Sequence, residues 1–230
     1  MAKLKEEQRR GEHRWPALVA IIVALVLYGL LPSTFLPELR YTVVAIGLVL
    51  LVPVFVLNPL RLSKQTRWSR ILSIAIAGLL ATANAVALVQ LLAQLVTADK
   101  GDAGTLLVAA LQVWVTQVIV FGLLFWELDR GGPVIRSMSR RSELPEADFR
   151  FPQDENGDNV HEVAIGSAEK SGWTANYIDY VYYSATNSMA FSAADAMPLT
   201  RRAKLLSAVE AFGAFVLLAL VIARAVSLLG

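Results

Sequence analysis

Glu210 stands where a carboxylate is hard to explain. It lies in LLSAVEAFGAFVLL, a run apolar enough for lipid. Counted from Arg201–Leu205 it sits about 8–14 Å along a helix. Charge in hydrocarbon is costly, so a carboxylate at that depth requires a partner, water or a cation. The preceding stretch reads YSATNSMAFSAADAMPLTRRAK, residues 183–204. It is too polar for a membrane span and too rich in aromatic and small residues for an ordinary loop. Asn187, Ser188 and Asp195 offer amide, hydroxyl and carboxylate oxygens that can meet Glu210 if the segment folds back, and Thr186 stands beside them as a further pore-supporting residue. Oxygens gathered at membrane depth line ion paths or relay protons. The plainer alternative is a structural hydrogen bond that only satisfies Glu210.

Other chemistry is scarce. Cysteine is absent, which excludes disulfides and thiolate metal sites. The two histidines, His13 and His161, lie in hydrophilic segments without clustered partners. No glycine-rich phosphate motif, nucleophile elbow or metalloprotease helix motif occurs. QDENGDNVHEV gathers Asp154, Glu155 and Asp158, but lacks the carboxylate spacing and terminal glutamate of a calcium loop. A solvated loop is expected there instead. Neither enzymatic activity nor a cofactor is expected.

The elements that must position Glu210 follow from composition. Hydrophobic residues make up 56% of the 230 and charged residues 17%, against roughly a quarter charged in soluble domains. The apolar residues fall in blocks: 16–31, 41–57, 71–96, 105–128 and 205–229. A bilayer core of about 30 Å takes about 17–25 helical residues, and only helices of that kind keep their backbone satisfied in lipid. Five transmembrane helices are therefore expected. Basic residues cluster before the first block, between the second and third, after the fourth and before the fifth; the other two connections hold only Arg40 and Lys100. By the positive-inside rule the N-terminus is cytoplasmic and the C-terminus outside. Ala77, Ala81 and Ala85 mark a small-residue strip on the third helix.

Residues 177–188, YIDYVYYSATNS, form a short amphipathic helix about 18 Å long, too short to cross. A small-residue turn around Phe191 follows, and Pro198 with Thr200 opens the last helix. The expected fold is an all-α membrane protein of five transmembrane helices plus a re-entrant short helix and turn before the last span. Its parts are a four-helix region (1–128), a cytoplasmic hydrophilic loop (129–173) and a re-entrant segment with the last helix (174–230).

Short helix, turn and spanning helix resemble the pore module of tetrameric cation channels, whose filter precedes an aspartate, two residues and a proline. Aligned on Asp195 and Pro198, the filter positions are Ala190, Phe191, Ser192, Ala193 and Ala194, and EAFG resembles an inner-helix glutamate and hinge glycine, here Glu210 and Gly213. The likeness covers about a quarter of the chain. Both filter glycines are missing, and left-handed backbone there costs other residues about 1 kcal/mol or more, so potassium selectivity is not implied. FWELDRGGP, DFRFPQ and DYVYYSATNSMAFSAADAMPLTRRAK resemble an uncharacterised family of bacterial integral membrane proteins. That resemblance implies a bacterial inner membrane and brings no activity. The charge rule admits the loop from the cytoplasm, opposite to potassium channels, unless residues 173–191 cross as a sixth span.

Three function classes remain: an oligomeric pore passing small cations with little selectivity, a non-conducting scaffold using loop 129–173, and a small secondary transporter, disfavoured by the lack of an inverted repeat. The expected partners are the lipid bilayer, small cations and further copies of the chain, not nucleic acid.

Overall fold

The computed structural model describes residues 11–32, 35–57, 67–97, 103–190 and 196–229. The apolar blocks form α1 (Trp15–Gly29), α2 (Pro37–Leu57), α3 (Arg67–Thr97) and α4 (Ala103–Leu128). Pro16 and Pro37 lie in first turns, where the missing N–H leaves no bond unmade. The polar stretch that follows holds only short elements: α5 (Pro133–Met138), β1 (Phe149–Arg150), α6 (His161–Ala164) and α7 (Ala168–Ser171). Then come α8 (Tyr177–Ala190), β2 (Met197–Pro198) and α9 (Arg201–Leu229). The fold is helical apart from one antiparallel pairing of β1 with β2, in which Phe149 faces Pro198.

Among the described residues, three helices are long and apolar enough to cross a membrane: Trp68–Thr97, Gly104–Gly131 and Arg201–Ser227. Five were expected. α1 has 15 residues, short of the usual minimum of about 17. Large apolar side chains such as Val49, Val89, Leu111, Phe212 and Ile222 are exposed on the helices, as lipid-facing surfaces require. The packed face of α3 runs through Ile76, Leu80, Ala83, Ala87 and Leu91. Of the expected alanine strip Ala77 is buried but Ala85 is exposed, because steps of four residues overshoot a 3.6-residue turn and drift off the face.

α4 is the central element, packed against α1, α3, α8 and α9. α8 lies along it in the opposite direction. At its start the Tyr177 ring stacks edge-on against Trp126, 5.8 Å between centroids. In its middle the Ser184 hydroxyl reaches the Val118 carbonyl at 2.9 Å. At its end Ser188 and Met189 share a cleft with Leu111 and Trp114. The chain then returns: β2 pairs with β1, and Phe149 of β1 touches Tyr183 and Tyr180 of α8 at 4.9 and 6.1 Å. α8 therefore enters the bundle part-way and does not cross it. Residues 191–195, between α8 and β2, lie outside the described residues.

The hydrophilic insert is not a solvated loop in its first half. Arg130, Gly131 and Gly132 take positive φ values of 49°, 80° and 96° and turn the chain sharply out of α4; two glycines adopt these without penalty. Arg130 is held by Asp154 at 2.6 Å and the Phe149 carbonyl at 3.2 Å. Asp129, fully buried, accepts from the Asp148 amide at 2.7 Å and from the Tyr180 hydroxyl. Arg136 is buried too, donating to the carbonyls of Ala175 (2.8 Å), Asp129 (2.9 Å) and Trp126 (3.2 Å) beneath the Tyr180 ring. Asp148 binds Arg202 and Thr200 at the start of α9. Glu12 accepts from the Trp126 indole at 2.9 Å and the Tyr177 amide at 2.8 Å, fastening the segment before α1 to the start of α8. Burial raises the Glu12 carboxyl above its usual range, while Arg136 pulls it down. Buried charges of this kind persist only when so paired.

At Gly122 of α4 the backbone of a neighbouring helix comes close. A Cβ there would meet the Val181 backbone of α8 at 3.1 and 3.3 Å and its side chain at 2.9 Å. Alanine for glycine in a helix ordinarily gains about 1 kcal/mol of propensity. Here Gly122→Ala is expected to lower the thermal midpoint in detergent, with a net cost of about 1–3 kcal/mol from overpacking. A raised midpoint would show that α8 does not lie against Gly122.

Candidate functional site

The site is assembled where α8 meets α4 and α9. Glu210 is fully buried. The Ser184 hydroxyl contacts its Oε1, and Asn187 Nδ2 donates to its Oε2 at 2.8 Å and to the Ser207 carbonyl at 2.9 Å. The Tyr183 hydroxyl and Ser207 Oγ lie 2.8 Å apart. Gln117 of α4 donates to the Glu210 carbonyl at 2.8 Å. Ser184 and Asn187 are three residues apart on α8, as are Ser207 and Glu210 on α9, so each pair shares one helix face.

Proton counting in this cluster is informative. A serine hydroxyl owns one proton, yet Ser184 Oγ is 2.9 Å from the Val118 carbonyl and also contacts Glu210 Oε1. The hydroxyl proton is therefore shared between the carbonyl and the carboxyl, or given to one of them. Among the described residues no ion pair reaches Glu210; the ion pairs lie in the insert, at Glu12 and at the start of α9. Two buried amide oxygens, Gln117 Oε1 and Asn84 Oδ1, have no donor among the described residues. Asn84 sits one turn before Leu88, whose side chain closes on Gly213 together with Gln117. The seam between α3, α4 and α9 is thus rich in oxygen acceptors and poor in positive charge.

The residues singled out from sequence do not share one surface. Asn187 and Glu210 bond to each other. Gly213 packs beside Gln117, where a side chain would collide with it at 3.3 Å. Thr186 turns back to the carbonyls of Tyr182 and Tyr183 and lines a cleft of about 140 Å³ with Asp179, Tyr183 and Gln153. Ser188 bonds to the Ala185 carbonyl and borders a different cleft. Consecutive helix residues are rotated by about 100°, so 186, 187 and 188 face three ways. Ala190 ends α8, and Phe191, Ser192, Ala193, Ala194 and Asp195 lie outside the described residues. Asp154, considered for calcium, is occupied by Arg130 and Arg141; among the described residues no group of three or more acidic, histidine or cysteine side chains is placed to hold a metal. Ser184 and Ser207 were not singled out, although their one-turn spacing from Asn187 and Glu210 marked them; Gln117, an amide in an apolar helix and so expected to face a neighbour, does reach α9.

No protein-family model, curated protein or solved structure matches the chain.

Asn187 should be energetically coupled to Glu210. Asn187→Leu strands a buried carboxyl oxygen, at a cost of about 1–3 kcal/mol, whereas replacing both partners by apolar groups avoids that penalty. Asn187→Leu combined with Glu210→Met is therefore expected to destabilise less than the sum of the single variants in thermal melts. Additive losses would contradict the pairing.

Proposed function

We propose that the chain is a channel-like membrane protein that takes up and passes small cations, protons included, at Glu210. The observation that carries this reading is a fully buried carboxyl that has no cationic partner among the described residues and is held by the neutral side chains of Ser184 and Asn187. Intramembrane ionisable residues of this kind mark ion and proton paths. The cleft at Thr186 and Asp179 supports an approach from the side of the insert, since Tyr183 lines that cleft and its hydroxyl meets Ser207 beside Asn187. Gln117 Oε1 and Asn84 Oδ1 supply further acceptors in the seam. A filter on a shared axis is not required by this reading; each copy in a homo-oligomer would carry its own site.

In this proposal five helices span a bacterial inner membrane, with α1 and α2 joining the three longer ones. The N-terminus and insert are cytoplasmic, and α8 enters from that face. The basic residues flanking α1, α3 and α9 support that orientation. A non-conducting scaffold is the second reading. Exposed Val160, Val163 and Ile165 on the insert favour it, since they offer an apolar surface to a partner.

Glu210→Gln separates the two. Its amide can donate to Ser184 Oγ as a protonated carboxyl would, so the variant should assemble and melt like the parent. In proteoliposomes the parent is expected to dissipate a proton or monovalent-cation gradient, and Glu210→Gln to slow that flux by about tenfold or more, the scale of losing one functional acid–base group. Well-assembled protein that passes no ions in either form would leave the scaffold reading.

A further inference from the structure

α8 begins at a cap assembled from two distant parts of the chain. The Asn176 side chain accepts the Ile178 amide at 2.9 Å, and Asp179 accepts the Asn176 amide at 2.8 Å, close to the reciprocal pairing of a capping box. The Tyr177 amide is the first-turn donor that this pairing leaves over. It goes to Glu12, 165 residues earlier, at 2.8 Å. The same carboxylate takes the Trp126 indole of α4 at 2.9 and 3.1 Å. Arg136 of α5 faces it at 3.7 Å, through an Nη2 that makes no hydrogen bond among the described residues. One side chain thus ties the segment before α1 to the positive end of α8, to α4 and to α5.

We infer that this segment is a strap, with Glu12 as its pin, that seats the start of α8 on α4 and makes that seating respond to pH. α8 is one unbroken helix, and from Tyr177 to Asn187 is ten residues, about 15 Å. A shift at the pin is therefore carried to the partner of Glu210, and Glu12 is a positioning residue for that cluster. The inference holds whether or not ions pass at Glu210.

The charged groups around the pin fix the sign of the response. Arg136 opposes Glu12, and Asp179 of α8 lies near enough to repel it. Glu127 of α4 is answered by Arg136, Arg14 and Arg70, and His13 is exposed. Burial raises the Glu12 carboxyl against the pull of Arg136, and raises Asp179 against the Asn176 amide and Arg136. A carboxyl raised in the seated state holds its proton more tightly there than in a released strap. Seating is favoured in acid and weakens as pH rises through the raised value.

Spin labels at His13→Cys and Ile178→Cys, both exposed positions, measure the strap against α8 in the full chain by pulsed electron resonance. The first substitution also removes the neighbouring histidine as a titrating group. In acid, one short and narrow distance is expected. Towards about pH 9 a longer population should grow, by up to about tenfold per pH unit for one proton. Glu12→Gln keeps an oxygen for the Tyr177 and Trp126 donors but cannot ionise, so its distance should stay narrow throughout. Glu12→Ala should be broad throughout. A parent distance that does not change with pH would overturn the inference, as would a Glu12→Ala strap as narrow as the parent's in acid. So would a pH response retained in Glu12→Gln, which would move the titration to Asp179. If Glu12→Ala fails to fold, the parent and Glu12→Gln decide alone.

Discussion

A helix of 14 residues is about 21 Å long, short of a bilayer core of about 30 Å, and α8 lies against helices that can cross. Hydrocarbon offers nothing to an unpaired backbone group, so a helix ending at that depth must be enclosed by protein. α4 and α9 enclose it. The glycine at 122 lets the α4 backbone come within van der Waals reach of Val181, and polar side chains of α8 turn inward to α9 instead of outward to lipid. Ser184 and Asn187 thereby meet Glu210.

The insert makes that arrangement possible by anchoring both ends of the excursion. Asp129 and Arg136 hold the start of α8 through Tyr180 and the Ala175 carbonyl, and Asp148 holds the start of α9 through Arg202. Phe149 and Phe151 pack edge-on against Tyr180, Tyr183 and Trp173. Asp129, Arg136 and Asp148 are buried, and each costs several kcal/mol to desolvate unless its bonds are complete. Their value lies in fixing where α8 enters, which sets the register of Asn187 against Glu210.

Much of the helical layout could be read in advance because apolar block length and flanking charge are local properties. Glu210 was legible for the same reason: a carboxylate in an apolar run needs no context to be conspicuous. What could not be read was tertiary. Hydrophilic composition made residues 129–151 look solvated, since pairs such as Asp129 with Tyr180 or Arg136 with Ala175 join positions 51 and 39 residues apart. The direction of Thr186 and Ser188 depended on helix phase, which Asn187 alone settles once it reaches Glu210. Gln117 was one of several amides in α3 and α4, and only the packing of Gly213 distinguishes it.

The excursion of α8 can be measured directly because the chain has no cysteine of its own. Ile178→Cys and Met197→Cys place thiols at exposed positions before and after it, and Met189→Cys places one at its end. With a spin label at each in oriented proteoliposomes, an impermeant relaxation agent on one face should reach 178 and 197 equally. Position 189 should be protected from either face and lie about 16 Å deeper than 178. Labels at 178 and 197 that respond from opposite faces would mean that the segment crosses, and the enclosure of Glu210 by a returning helix would not exist.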